Sequence, residues 1–117
     1  MSGTLVAALN YGNCLVGLKR FEEAQRLLCT TALVACRVLG DPHDLTLRMR
    51  WNFATALYMD PGATIDDLCE AVVTLEEAEQ IARRVLGRAH PDTAGIEMYL
   101  RMAREKLRAR ETPSTRA

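Results

Sequence analysis

Two histidines, His43 and His90, are the residues best suited to acid, base or metal chemistry, yet both recur with their surroundings. Arg37-Val38-Leu39-Gly40, two residues, His43, two residues and Thr46 return as Arg84-Val85-Leu86-Gly87, two residues, His90, two residues and Thr93, displaced by 47 throughout. A catalytic residue has no reason to repeat with its neighbours, whereas a cap or turn residue does. The carboxylate pairs Asp66-Asp67 and Glu76-Glu77 do not form an acid/base dyad, because adjacent residues on a helix point apart and such pairs usually belong to solvated faces. Cys14, Cys29, Cys36 and Cys69 lie in apolar-periodic segments, with no C-x-x-C pair and no His at metal-ligand spacing. They read as reduced packing residues rather than ligands or disulfides. A Gly-rich phosphate loop, a nucleophile elbow and a zinc motif are all missing. The chain is therefore expected not to be an enzyme and to need no cofactor or metal.

The elements that position these residues follow from apolar spacing. Leu5, Ala8, Leu9, Gly12, Leu15 and Val16 form the stripe of a first helix, closed by a turn at Gly17-Leu18-Lys19-Arg20. A second helix runs from about Phe21 to Leu39, with Phe21, Ala24, Leu28, Ala32, Ala35 and Leu39 inward, and Gly40 ends it. Asp41 as N-cap and Pro42 in the first turn predict a third helix from near Pro42 to about Met59. Asp60-Pro61-Gly62 breaks it. Thr64 and Asp67 resemble a capping box that opens a fourth helix to Leu86, with Leu68, Ala71, Leu75, Ala78, Ala82 and Val85 inward. Gly87 stops it. A fifth helix starts at Pro91 with His90 as N-cap and fades after Leu107.

The 47-residue shift also pairs Glu23-Ala24 with Glu70-Ala71, and Phe21 with Leu68, while Asn10 and Asn52 are 42 apart. The second copy thus carries about five extra residues, Asp60 to Thr64, between its helices. The expected fold is all-α, an α-α superhelix of two full helix pairs plus a C-terminal capping helix. Its single domain covers residues 1–111, in units of about 3–40, 41–87 and 88–111, with a disordered tail at 112–117.

At 117 residues the chain has room for one core. A formal net charge of zero weighs against nucleic acid and anionic membranes as partners. The chain contains no apolar run of the roughly 20 residues a bilayer span needs, and no signal-peptide pattern at its start, so a cytoplasmic, soluble protein is expected. Charge is uneven: residues 1–82 carry an acidic excess that a basic excess in residues 83–117 cancels. Arg101, Arg104, Lys106, Arg108 and Arg110 could touch a polyanion, but Glu105 and Glu111 interleave and a solvated capping face accounts for them better.

Leu86-Gly87, two residues, His90-Pro91-Asp92-Thr93, together with a turn followed by Phe21-Glu22-Glu23-Ala24, resembles the 42-residue tetratricopeptide repeats of kinesin light chains and their relatives. The likeness covers about residues 4–107. Pro42-His43 reverses the family's His-Pro order, Asp60 to Thr64 is inserted, and the third unit stops after one helix. The resemblance implies that the first helix of each pair lines a concave groove that holds a protein or peptide. On this chain that points to Asn10 and Asn13, to Arg48, Trp51, Asn52 and Thr55, and to Met98 and Met102. An amide can bond a peptide backbone, Arg48 a carboxylate, and Trp51 an apolar anchor, chemistry suited to an extended acidic peptide. Asn10 and Asn52 could equally hold inter-helix geometry, and Trp51 could be core.

A middle helix in a stack needs two apolar sides and an end helix one. The third helix has two, Met49, Phe53 and Leu57 on one and Leu47, Trp51, Ala54 and Tyr58 on the other. The fifth has one, Ile96, Leu100, Ala103 and Leu107, backed by Glu97, Arg101, Arg104 and Arg108. The first helix leaves apolar surface on more than one side, so either the chain is cut from a longer array or two copies pair through Leu5, Val6 and Leu9, giving a homodimer or higher oligomer.

Overall fold

The computed structural model describes residues 2–111, and among them the fold is five helices with no strand. These are α1 (Ser2–Gly17), α2 (Phe21–Leu39), α3 (Asp44–Tyr58), α4 (Ile65–Val85) and α5 (Pro91–Glu111). The tail expectation for 112–117 lies outside the described residues. No helix among them is long and apolar enough to cross a membrane.

Each boundary has a local cause. Gly40 and Gly87 end α2 and α4 at φ 94° and 93°, a backbone region costly for residues with a Cβ. The turn repeats in detail: the His43 amide donates to Gly40 O and the His90 amide to Gly87 O, both at 3.3 Å. Each imidazole then accepts from the amide two residues on, His43 Nδ1 from Leu45 at 3.1 Å and His90 Nδ1 from Asp92 at 3.0 Å. These two contacts give both histidines the same helix-capping role. For α3 this revises the expected start. His43 is the N-cap and the helix begins at Asp44. Asp41 instead receives Arg50 Nη2 at 2.8 Å and the Cys36 thiol at 2.6 Å.

The Thr64–Asp67 capping box forms as expected, with amide-to-side-chain bonds of 3.0 and 3.1 Å. Between α1 and α2 the turn is built differently. Arg20 N reaches Leu15 O at 2.8 Å and Lys19 N reaches Val16 O at 2.9 Å, while Lys19 itself sits at φ 63°. This is the bond pattern of a Schellman cap, here with a lysine at the left-handed position usually held by Gly.

The packing is that of consecutive helix pairs. One apolar cluster joins Leu5, Leu9 and Leu15 of α1 to Ala24, Leu28 and Ala35 of α2 and to Met49 and Ala56 of α3. The other joins Leu47, Ala54, Leu57 and Tyr58 of α3 to Leu68, Leu75 and Ala82 of α4 and to Ile96, Leu100 and Ala103 of α5. Helix α3 is buried on two sides, with Phe53 touching both clusters; Leu57 belongs to the α4 side rather than with Met49. Val85, expected inward, is exposed, and Leu86 packs on the core instead.

Gly12 explains how closely α1 sits on α2, since a Cβ there would lie 2.6 Å from Leu28 Cδ2. The odd-numbered helices form one layer: α1 touches α3 and α3 touches α5, while α2 and α4 stay apart. A stack whose one layer is drawn together and whose other is spread curves toward the closer layer, placing the concave side on α1, α3 and α5.

Candidate functional site

The concave side carries a cleft between α3 and α5 lined by Arg48, Trp51, Asn52, Thr55, Asp92 and Tyr99. Four of the eight residues expected from sequence meet there. Trp51 is half-buried and held edge-on by Tyr99, ring centroids 5.4 Å apart at 84°. Tyr99 in turn packs edge-on against Tyr58 at 6.1 Å. Offset and T-shaped ring pairs of this kind fix ring orientation and add to the area they bury. Beneath the indole lies Gly95, whose missing side chain makes the space: a Cβ there would come within 2.7 Å of Trp51 Cζ2. Trp51 is thus neither plain core nor free. It is clamped by α5 with part of its surface open to the cleft.

The polar groups are partly committed. Asn52 Nδ2 donates to Arg48 O at 2.8 Å, and the Thr55 hydroxyl donates to Trp51 O at 2.9 Å. Arg48 Nε stands 3.5 Å from Asp92 Oδ2, with Asp92 the more buried of the two. The cleft therefore presents an aromatic wall, one amide and a loose ion pair, which suits recognition of a peptide with an apolar anchor. A carboxylate arriving at Arg48 must compete with Asp92, a partner the sequence reading did not include.

The repeat register shows which other residues share this face. A shift of 42 carries Arg48, Asn52 and Thr55 to Val6, Asn10 and Asn13 on α1, and a shift of 47 carries them to Gly95, Tyr99 and Met102 on α5. Asn10, Asn13 and Met102 are exposed on the expected face, although none of them lines the cleft. Met98 is exposed but takes the register position of Trp51, and Tyr99 holds the position of Asn52. Tyr99 and Asp92 are what the sequence reading missed. Gly95 and Tyr99, four residues apart and so on one helix face, are the signal that could have found them.

The structure corrects two further expectations. Leu5 and Leu9, assigned to an oligomer interface, are 3% and 6% exposed and belong to the chain's own core, leaving Val6 as the exposed member of that set. The cysteines are not all packing residues, since Cys14 and Cys29 are exposed and Cys36 and Cys69 half-buried. The Cys36 thiol donates to Asp41, and that carboxylate pushes its pKa above the usual thiol value, with partial burial adding to the effect. No group of His, Cys, Asp or Glu suited to a metal occurs among the described residues.

Three of the five basic residues of α5 make structural contacts. Lys106 Nζ donates to Tyr58 O, Arg110 Nη1 to Ala63 O at 2.7 Å, and Arg104 pairs with Glu76 at 2.8 Å. They tie α5 to the last residue of α3, to the inserted segment and to α4. No protein-family model matches the chain, and no curated protein or solved structure is significantly similar to it.

Proposed function

We propose that this chain is a non-catalytic protein-interaction scaffold of the tetratricopeptide-repeat type, binding a peptide or helix of a partner protein along α1, α3 and α5. The observation that carries this reading is the Trp51 cleft: an aromatic anchor site held open by Gly95, flanked by Arg48 and Asn52, on the concave side of a helix-pair stack. Repetition of the capping histidines and the glycine turns supports the repeat type. The partner that fits is an extended segment with one bulky apolar side chain for Trp51 and Tyr99 and a carboxylate for Arg48. The proposed setting is cytoplasmic, and a protein rather than a nucleic acid is the proposed partner, a reading supported by the internal contacts of Arg104, Lys106 and Arg110.

Affinity capture from a lysate with the intact chain and with an Arg48→Ala/Asn52→Ala variant tests the reading. Trp51 is the only tryptophan, so its emission reports occupancy of the cleft directly. The expected result is a captured protein that shifts Trp51 emission and is lost with the double variant. Capture that ignores both substitutions removes the cleft from the function.

A second reading is favoured by a separate observation. Shifting Met49, Phe53 and Ala56, the α3 residues packed toward α2, by 42 gives Ala7, Tyr11 and Cys14, all exposed on a helix containing no charged residue. In that reading the chain is a homo-oligomerisation module, and this face of α1 together with Val6 makes the contact. Light scattering across a concentration series discriminates: association abolished by Tyr11→Lys supports it, and a monomer at all concentrations overturns it.

A further inference from the structure

The side of α3 opposite the Trp51 cleft carries a second concave surface. Because α2 and α4 do not touch, α3 is left visible between them at the bottom of a long groove. Two adjoining cavities of about 230 and 440 Å³ share Cys29, Phe53 and Glu70 and run along it. In the first cavity the α2 wall is apolar, with Cys29, Ala32 and Leu33, the last at 61% exposure, a large aliphatic side chain left standing in solvent; in the second cavity the same wall turns polar at Gln25, Arg26 and Thr30. Phe53 forms the floor. The α4 wall is an acidic rail of Asp67, Glu70 and Glu77. Asp67 is used in the capping box, but neither Glu70 nor Glu77 has an ion-pair partner among the described residues. Of the two cations that line the groove, Arg50 is already paired with Asp41, and Arg26 stands on the opposite, α2 wall of the second cavity, so the α4 edge keeps its acidic excess.

Apolar wall, aromatic floor and unpaired carboxylates on one edge together define a complement. We infer that the α2–α4 groove docks a basic amphipathic helix of a partner protein, its apolar stripe laid on Leu33, Cys29 and Phe53 and its Lys or Arg residues facing Glu70 and Glu77. Helices bind grooves in this manner through residues one turn apart. Flanking charges set orientation and association rate more than affinity. The groove is remote from Arg48 and Trp51, so the inference stands or falls independently of the Trp51 cleft.

The probe is a synthetic helix of about 18 residues, roughly five turns, made of leucine and lysine with its leucines on one stripe. A leucine–glutamate helix of the same pattern is its counterpart. Fluorescence anisotropy reads binding, and timed alkylation followed by mass spectrometry reads location, since Cys29 lies in the groove and the exposed Cys14 on α1 serves as internal reference.

The lysine helix is expected to bind, the glutamate helix not to, and Cys29 alkylation to slow at least about fivefold while Cys14 is unchanged. Glu70→Lys with Glu77→Lys should weaken binding at least about tenfold, whereas Glu105→Lys with Glu111→Lys on α5 should leave it within about twofold. All four glutamates are exposed, and Leu33→Asp offers a further groove variant that disturbs no buried residue. Binding without protection of Cys29, or equal loss from the two charge reversals, overturns the inference in favour of general acidic attraction. Protection of Cys29 by protein concentration alone overturns it in favour of a second copy in the groove.

Discussion

Helices α1 and α5 are the outermost of the described helices, each packed from one direction only, but their open sides are made of different chemistry. On α5 the positions equivalent to Leu47, Ala54, Leu57 and Tyr58 of α3 are Ala94, Arg101, Arg104 and Glu105, all exposed. The side that on α3 meets the following helix has been rewritten in charge, with Arg104 held by Glu76. On α1 the side that on α3 meets the preceding helix is Ala7, Tyr11 and Cys14, exposed and without charge. Exposed charge is cheap to hydrate, whereas exposed apolar surface carries a standing cost of roughly 25 cal/mol per Å² that contact with another surface recovers. The outer side of α5 is therefore suited to water, and that of α1 to contact with another surface.

The difference can be broken at the α1 end first. Leu28 is fully buried under Gly12, where α2 receives α1. Leu28→Ala should lower the unfolding free energy by about 2–5 kcal/mol in chemical denaturation. In hydrogen exchange the α1 amides should lose protection before those of α4 and α5, and simultaneous loss in all helices contradicts an α1 end held mainly through Leu28. Gly12→Ala acts on the same contact with a smaller expected cost of about 1–3 kcal/mol, because the new Cβ forces Leu28 aside while helix propensity returns part of the loss.

At the α5 end the contacts are polar, and replacing Lys106 and Arg110 together with methionine should cost about 1–3 kcal/mol. The fraying should be confined to the last turns of α5 and the 60–64 segment. An equal loss of protection in α1 indicates that the two ends are coupled. The smallest effect is expected in the α1–α2 turn, where Lys19→Gly relieves a left-handed residue and should stabilise by about 0.5–1 kcal/mol. A destabilising result there implies that the lysine side chain, rather than its backbone, supports the turn.

Much of this architecture was legible because its causes are local. Gly40 and Gly87 stop helices wherever the chain goes next, Thr64 and Asp67 close a capping box within one turn, and His90 caps with its own ring. The start of α3 was misplaced for a reason of the same scale. Asp41 and His43 are both competent caps, and the contest was decided by Arg50 and the Cys36 thiol, which draw Asp41 away. The cleft was half legible: Arg48, Trp51, Asn52 and Thr55 lie on one helix face, so their spacing in α3 already groups them. Tyr99, Gly95 and Asp92 enter only when α5 is laid against α3.

What the sequence determined by itself is the repeat, the helix ends and the one-sided character of α5, because each follows from residues within a few turns of one another. Only the tertiary structure decided that Leu5 and Leu9 are core while Val6 and Tyr11 stay outside. It alone showed that Cys29 faces a groove and that Lys106 and Arg110 bind carbonyls far away in the chain. Periodicity says that a helix has an apolar side, but several apolar residues compete for that side. Which of them is covered depends on the distance and angle of the neighbouring helix, set here by the gap at Gly12 and by the separation of α2 from α4.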